Sequence, residues 1–271
     1  MSYYMVGGMK RDVRDKVRIR DLKKRSQGDP IVAITAYDAT FSQIIDRSGV
    51  DIILVGDSLG MVIQGAETTV SVSVNDIVYH CLAVTRSKPA AHVVADMPFL
   101  AFQESEAEAF RASRQLMQHG LAEGIKIECD VTFANRVERL VRAGVPIMGH
   151  VGLRPQYVHA LGGYRKQGKS PVSRQQVLTD AKTLEAAGCY AMLVECVPAD
   201  LGAELTSVLN IPVIGIGSGP DCDGQILVSY DLLGLTERAP SFAPSYTDLR
   251  GQCTDAIKRY AEDVRKGRFS G

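Results

Sequence analysis

The chain has 271 residues with 31 basic and 31 acidic side chains, so its formal net charge is zero, and 45% of its residues are hydrophobic. That balance suits a globular protein with a sizeable core, and it argues against binding nucleic acid or a membrane surface through a broad basic face. No apolar run reaches the roughly 18 residues of a membrane span, the opening residues lack a signal-peptide stretch, and the six cysteines form no C-x-x-C pair, which reads as reduced thiols in a cytoplasmic protein.

In chain order, residues 10–25 come first as a basic segment interrupted by Asp12, Asp15 and Asp21, with Val17, Ile19 and Leu22 as a thin apolar face. This reads as a solvated leading helix. Eight short apolar runs follow, at 31–36, 52–55, 92–95, 125–127, 145–149, 191–194, 213–216 and 225–228. Their near-continuous apolar character is that of buried parallel strands. Helices are expected between most of them, at 40–48, 75–87, 104–119, 133–143 and from an N-cap at Ser173 to Ala187, with a closing helix at 248–266. Gly49, Gly120, Gly144 and Gly188 stand where left-handed C-terminal caps belong. Alternation of this kind implies right-handed crossovers and a parallel sheet. Eight units in this length fit a single-domain (β/α)8 barrel over residues 1–271, the fold being typically about 250 residues. An open doubly wound sheet is the alternative, but no glycine fingerprint follows the first strand.

A barrel of this type carries its active site at the C-terminal strand ends. Asp57, Asp96, Glu128, His150 and Glu195 stand at five successive ends. Singly, each is most simply a cap or turn residue. Together, four carboxylates repel one another unless something positive sits among them. Lys126 is one source of charge: two residues before Glu128, it faces the same side of its strand, where the pair makes a plain structural ion bridge or part of a site. A divalent cation is the other. Asp57 and Asp96 offer the oxygen ligands Mg²⁺ prefers, with positions left for a chelating 2-oxo acid. The turn Gly215-Ile216-Gly217-Ser218-Gly219 reads equally as an anion cradle or a tight turn. The glycine-rich loop 161–169 after His150 reads as a lid or a surface loop. His80, His119 and His159 read as structural or exposed. Cys129 and Cys196 read as packing residues, pointed away from the interior by strand alternation.

These motifs resemble the ketopantoate hydroxymethyltransferase (3-methyl-2-oxobutanoate hydroxymethyltransferase) family. The resemblance rests on Ile34-Thr35-Ala36-Tyr37-Asp38, Leu54-Val55-Gly56-Asp57-Ser58-Leu59-Gly60, Ala95-Asp96-Met97-Pro98-Phe99, Ile125-Lys126-Ile127-Glu128, Gly149-His150-Val151-Gly152-Leu153, the run from Ala160 to Lys169, Val194-Glu195-Cys196-Val197-Pro198 and the run from Asp223 to Val228. It implies a (β/α)8 TIM barrel of the phosphoenolpyruvate/pyruvate type. It further implies one Mg²⁺ per subunit at Asp57 and Asp96 with Glu128 close by, a 2-oxo acid contacting Ser58 and Lys126, Glu195 as the base and His150 in the site. The implied reaction transfers a hydroxymethyl group from 5,10-methylenetetrahydrofolate to 3-methyl-2-oxobutanoate through an enolate, in pantothenate and coenzyme A biosynthesis. A homo-oligomer, commonly a decamer, is implied, with neither nucleic acid nor membrane as partner.

The chain departs from the family pattern at Cys129-Asp130, where two glycines are usual. It also departs at Thr69-Val70-Ser71-Val72-Ser73, at Leu100-Ala101-Phe102, at 240–245 and in a short tail. No metal or base position is lost. The departures keep open a related Mg²⁺-dependent aldolase, lyase or decarboxylase on a different 2-oxo acid, and a non-catalytic barrel homologue.

Overall fold

A computed structural model describes residues 14–25 and 28–269. Eight parallel strands close on themselves in sequence order: β1 (Ile31–Thr35), β2 (Ile52–Val55), β3 (His92–Asp96), β4 (Gly124–Glu128), β5 (Ile147–Gly152), β6 (Ala191–Glu195), β7 (Val213–Ile216) and β8 (Gly224–Leu227). The pairing of β1 with β8 shuts the ring, so the expected TIM barrel is the fold observed. Helices Ala39–Arg47, Val74–Thr85, Glu106–Arg114, Ala134–Arg142, Pro171–Ala186 and Ala199–Val208 fill the crossovers after β1 to β6 in turn. Residues 217–223, between β7 and β8, form a turn with no helix, shaped by Gly217 and Gly219 in the left-handed region. The chain ends in a long helix, Leu249–Arg265.

Alternation along the strands builds two cores. Ile31, Ala33, Ile52, Leu54, Val94, Met148, Leu193 and Ile214 belong to a cluster inside the barrel, while Ile34, Ile53, Val93, Ile125, Val151 and Val194 join the larger layer between barrel and helices. Asp96, Lys126, Glu128 and His150 share the inward parity, which is what brings charge into the mouth.

Three expectations are corrected by packing. The leading segment is not a solvated helix. Its helix is Ile19–Arg25, and Val17 and Leu22 are buried in the interior cluster. Lys16 Nζ donates to Ala91 O at 2.7 Å and pairs with Glu123 Oε2 at 2.7 Å. Two apolar side chains suffice because a barrel's bore is narrow, and the segment stoppers its N-terminal end. Residues 10–13 of the expected helix lie outside the described residues. The fifth strand starts at Ile147, past Pro146, which has no N–H to give the ladder. The cap of helix Pro171–Ala186 is Ser170, whose side chain accepts from Ser173 N at 3.2 Å, with Pro171 in the first turn. The helix Ala199–Val208, not among the expected ones, carries Gly202 in its interior. That glycine is required by packing: a Cβ there would lie 2.2 Å from Ser218 O.

Candidate active site at the barrel mouth

Strand register assembles the site. Asp96 pairs with Lys126 across β3 and β4, Glu128 with His150 across β4 and β5, and Gly152 with Glu195 across β5 and β6. Lys126 Nζ therefore lies 2.9 Å from Asp96 Oδ1, 3.3 Å from Glu128 Oε1 and 3.2 Å from His150 Nδ1. His150 Nδ1 is 3.4 Å from Glu128 Oε1, and its Nε2 is 3.3 Å from Glu195 Oε2. Asp57, just beyond β2, donates its backbone N–H to Asp96 Oδ2 at 3.0 Å. Ser58 Oγ shares a 2.8 Å hydrogen bond with the Tyr37 hydroxyl. All the residues singled out in the sequence meet here. Asp57, Asp96, Lys126, Glu128 and His150 are buried, whereas the Glu195 side chain keeps 15% of its surface exposed. Of these four carboxylates, Glu195 is the most exposed.

The charges are unequal. Burial and the carboxylates of Asp96 and Glu128 push Asp57 well above the usual carboxylate range, with Lys126 and Gln156 offsetting only part. Burial also raises Asp96 against the pull of Lys126. Burial opposes charge on Lys126, but Asp96, Glu128 and Asp57 outweigh it and hold the ammonium charged. Glu128 is the reverse case: burial would raise it, yet Lys126, His150 and the Gln156 N–H hold it low. For His150, burial and Lys126 act downward, contacts with Glu128 and Glu195 act upward, and the net direction is up. Carboxylates thus outnumber cations in a dry pocket, and Asp57 bears the imbalance.

That imbalance tests whether a cation fits. The donors are carboxylate oxygens, the type a hard divalent ion takes. Asp96 Oδ1 is buried with no donor aligned to it, its contact with Lys126 being ionic rather than a well-angled hydrogen bond. Among the described residues, no three His, Cys, Asp or Glu side chains stand grouped to enclose a metal. Glu128 stands beside Asp57 and Asp96 with partners of its own: Oε1 faces Lys126 and His150, and Oε2 accepts from Gln156 N at 3.0 Å. Asp57 and Asp96 are left as the carboxylates that fit an ion completing its shell with water and substrate.

Residues 16–271 match the ketopantoate hydroxymethyltransferase family. The chain belongs to that family. It is 50% identical to the 3-methyl-2-oxobutanoate hydroxymethyltransferase of Alkalilimnicola ehrlichii, over 91% of this chain and 89% of that protein. It is also 50% identical to the enzyme of the same name from Pyrobaculum islandicum, over 89% and 92%. Solved structures share the barrel at low identity. A phosphoenolpyruvate phosphomutase from Streptomyces platensis superposes with a TM-score of 0.63 at 12% identity, over 92% of this chain and 88% of that one. A 2,3-dimethylmalate lyase of the PEP mutase/isocitrate lyase superfamily superposes with a TM-score of 0.60 at 14% identity, over 93% and 89%. The protein is thus an enzyme of a transferase family on a TIM barrel.

Further features surround the mouth. The loop 161–169 reaches across it: the Tyr164 hydroxyl donates to Met61 Sδ at 3.8 Å, and Gln167 N donates to Cys196 O at 2.9 Å beside Glu195. Burial, then Asp57, Glu195 and Glu128, raise the Tyr164 phenol. The turn 215–219 packs as a turn, Ser218 Oγ donating to Val194 O at 2.8 Å. Cys129 is buried in the outer core, and Cys196 is partly buried with its thiol pushed up by burial and Glu195. His80 has a partner after all, its Nδ1 lying 2.7 Å from Tyr37 O. The departure at Asp130 is absorbed locally: Asp130 caps the short turn Val131–Phe133 and pairs with Arg154 at 3.1 Å.

Two site residues escaped the sequence reading. Tyr37 holds Ser58 by its hydroxyl. Gln156 sits in the turn Pro155–Tyr157 beyond β5 and donates from Nε2 to Asp57 Oδ2 at 2.9 Å. The signal for Gln156 is Pro155, which opens a turn directly after the His150 strand.

A concavity lined by Gln252, Asp255, Lys258, Arg259 and Glu262 lies on the exposed last helix, away from this chemistry.

Proposed function

We propose that the protein transfers a hydroxymethyl group from 5,10-methylenetetrahydrofolate to 3-methyl-2-oxobutanoate, so that oxo acid, methylene folate and water yield 2-dehydropantoate and tetrahydrofolate, a step of pantothenate and coenzyme A biosynthesis. The observation that carries this reading is the meeting of Lys126, His150 and the half-open Glu195 with two fitting carboxylates, in a chain of this family. Asp57 and Asp96 hold one Mg²⁺ per subunit. When bound, the ion supplies a Lewis acid for the 2-oxo group and the charge that grows on it. Ser58, fixed by Tyr37, and Lys126 bind and orient the oxo acid. Glu195 takes the proton from C3, and His150 Nε2, 3.3 Å away, steadies the protonated and ionised forms of that carboxyl. Lys126 adds a fixed positive charge where the enolate oxygen forms. The Tyr164 loop excludes water while the new carbon–carbon bond is made.

Self-association belongs to this reading. The last helix buries no side chain, and Cys253, Ile257, Tyr260 and Val264 form an exposed stripe at helical spacing. A homo-oligomer, a decamer in this family, covers it. All six cysteines are unbridged thiols, which suits the cytoplasm.

The test is deuterium exchange at C3 of 3-methyl-2-oxobutanoate, with and without Mg²⁺ and with and without the folate. Exchange that needs Mg²⁺ but not folate, with product only when folate is added, is expected. Glu195→Gln should slow exchange about 10²–10⁴-fold. Turnover of the oxo acid without any folate requirement overturns the transferase reading in favour of a lyase or decarboxylase.

A further inference from the structure

Gln156 is 2% exposed, yet it touches three elements of the mouth. Its Nε2 lies 2.9 Å from Asp57 Oδ2 and 2.9 Å from Met97 O, and its backbone N–H lies 3.0 Å from Glu128 Oε2. A carboxylate and a carbonyl only accept, so the amide nitrogen must be the branch that faces them, and both its protons are used. This assigns Oε1 to the opposite branch of the planar amide. Oε1 is buried and has no donor. An acceptor in that state, one amide away from Asp57, calls for a donor that comes with a ligand rather than from the chain.

The turn is held from outside. Arg154 pairs with Asp130 at 3.1 Å and stacks over the Tyr157 ring at 4.1 Å, so Arg154 ties the turn that carries Gln156 to the loop after β4. Glutamate at this position would set another negative charge against Asp57, while glutamine donates to it and keeps an oxygen in hand.

We propose that Gln156 is a positioning residue of the cation site: its amide nitrogen orients Asp57, and its amide oxygen accepts a hydrogen bond from a water molecule carried by Mg²⁺. The inference rests on the reading of Asp57 and Asp96 as Mg²⁺ ligands. Partners of this kind around a metal ligand are worth about 10–100-fold in metal affinity.

Isothermal titration of the substrate-free protein with MgCl₂ tests it, comparing wild type with Gln156→Met, which keeps the length and removes both amide groups, and Gln156→Asn, which keeps the amide one carbon shorter and guards against a misfolded variant. Near-ultraviolet circular dichroism confirms the fold of each. Folded variants should bind Mg²⁺ at least tenfold more weakly, and the Mg²⁺ concentration that half-saturates C3 exchange should rise by the same factor, saturating Mg²⁺ restoring the rate. A folded variant with the wild-type Mg²⁺ Kd overturns this inference and leaves the metal reading standing. A wild-type protein that binds no Mg²⁺ overturns both.

Discussion

The two ends of the barrel are built on opposite electrostatic terms. At the floor, Lys16 meets Glu123, and His92, buried, rests its Nε2 3.2 Å from the Tyr190 hydroxyl with its pKa pushed down to about 4 by burial. Charge there is matched or absent, and Leu22 seals the bore. At the mouth, Asp57, Asp96, Glu128 and Glu195 crowd one ammonium and one imidazole, and Asp96 Oδ1 and Gln156 Oε1 are buried without an aligned partner. The floor is finished by folding alone. The mouth is finished only by what it binds, which is how a single sheet carries stability at one end and chemistry at the other.

The sharpest way to break this contrast is Lys126→Met. It removes the one ammonium among three buried carboxylates and should destabilise the metal-free protein by about 3–5 kcal/mol in urea denaturation. A smaller change would mean the mouth is not under the strain described. At the floor, Leu22→Ala should cost about 2–5 kcal/mol by loss of packing. It should leave kcat/KM of the folded fraction unaltered, because nothing at that end touches substrate. The smallest effect is a pH window. Unfolded, His92 titrates at its ordinary 6.5; folded, burial holds it near 4. Between these values the unfolded chain binds a proton that the folded chain refuses, so stability falls as pH drops from 6.5 toward 4, by about 3 kcal/mol in full. Between pH 7 and pH 4.5 the wild type should therefore lose stability relative to His92→Gln, the variant lacking this loss. Parallel curves would show that His92 is not held neutral.

The mouth was more legible in the sequence than the floor, for a physical reason. Asp96, Glu128 and Glu195 end apolar runs, and a charge that ends a buried strand stands out from its neighbours. The register that joins Asp96 to Lys126 follows from closure of the ring, so the pairings came with the fold. The stopper was hidden because Val17 and Leu22 sit among lysines and arginines, and only the narrow bore makes two apolar residues enough. Gln156 was hidden because a glutamine in a loop carries no period, and its meaning lies in Asp57, far away in the chain. The helix holding Gly202 was hidden because the glycine's role is a close contact with the turn at Ser218, which only the fold brings near.

The bond between β1 and β8 has a consequence for how the protein is made. Ile31 pairs with Gly224, so β1 waits for all seven later strands before its second edge is covered. Until then the nascent sheet has two open borders, each able to recruit a neighbouring chain. The stopper has no bore to enter before that seam closes, so it docks among the last contacts formed, although it precedes every strand in the chain.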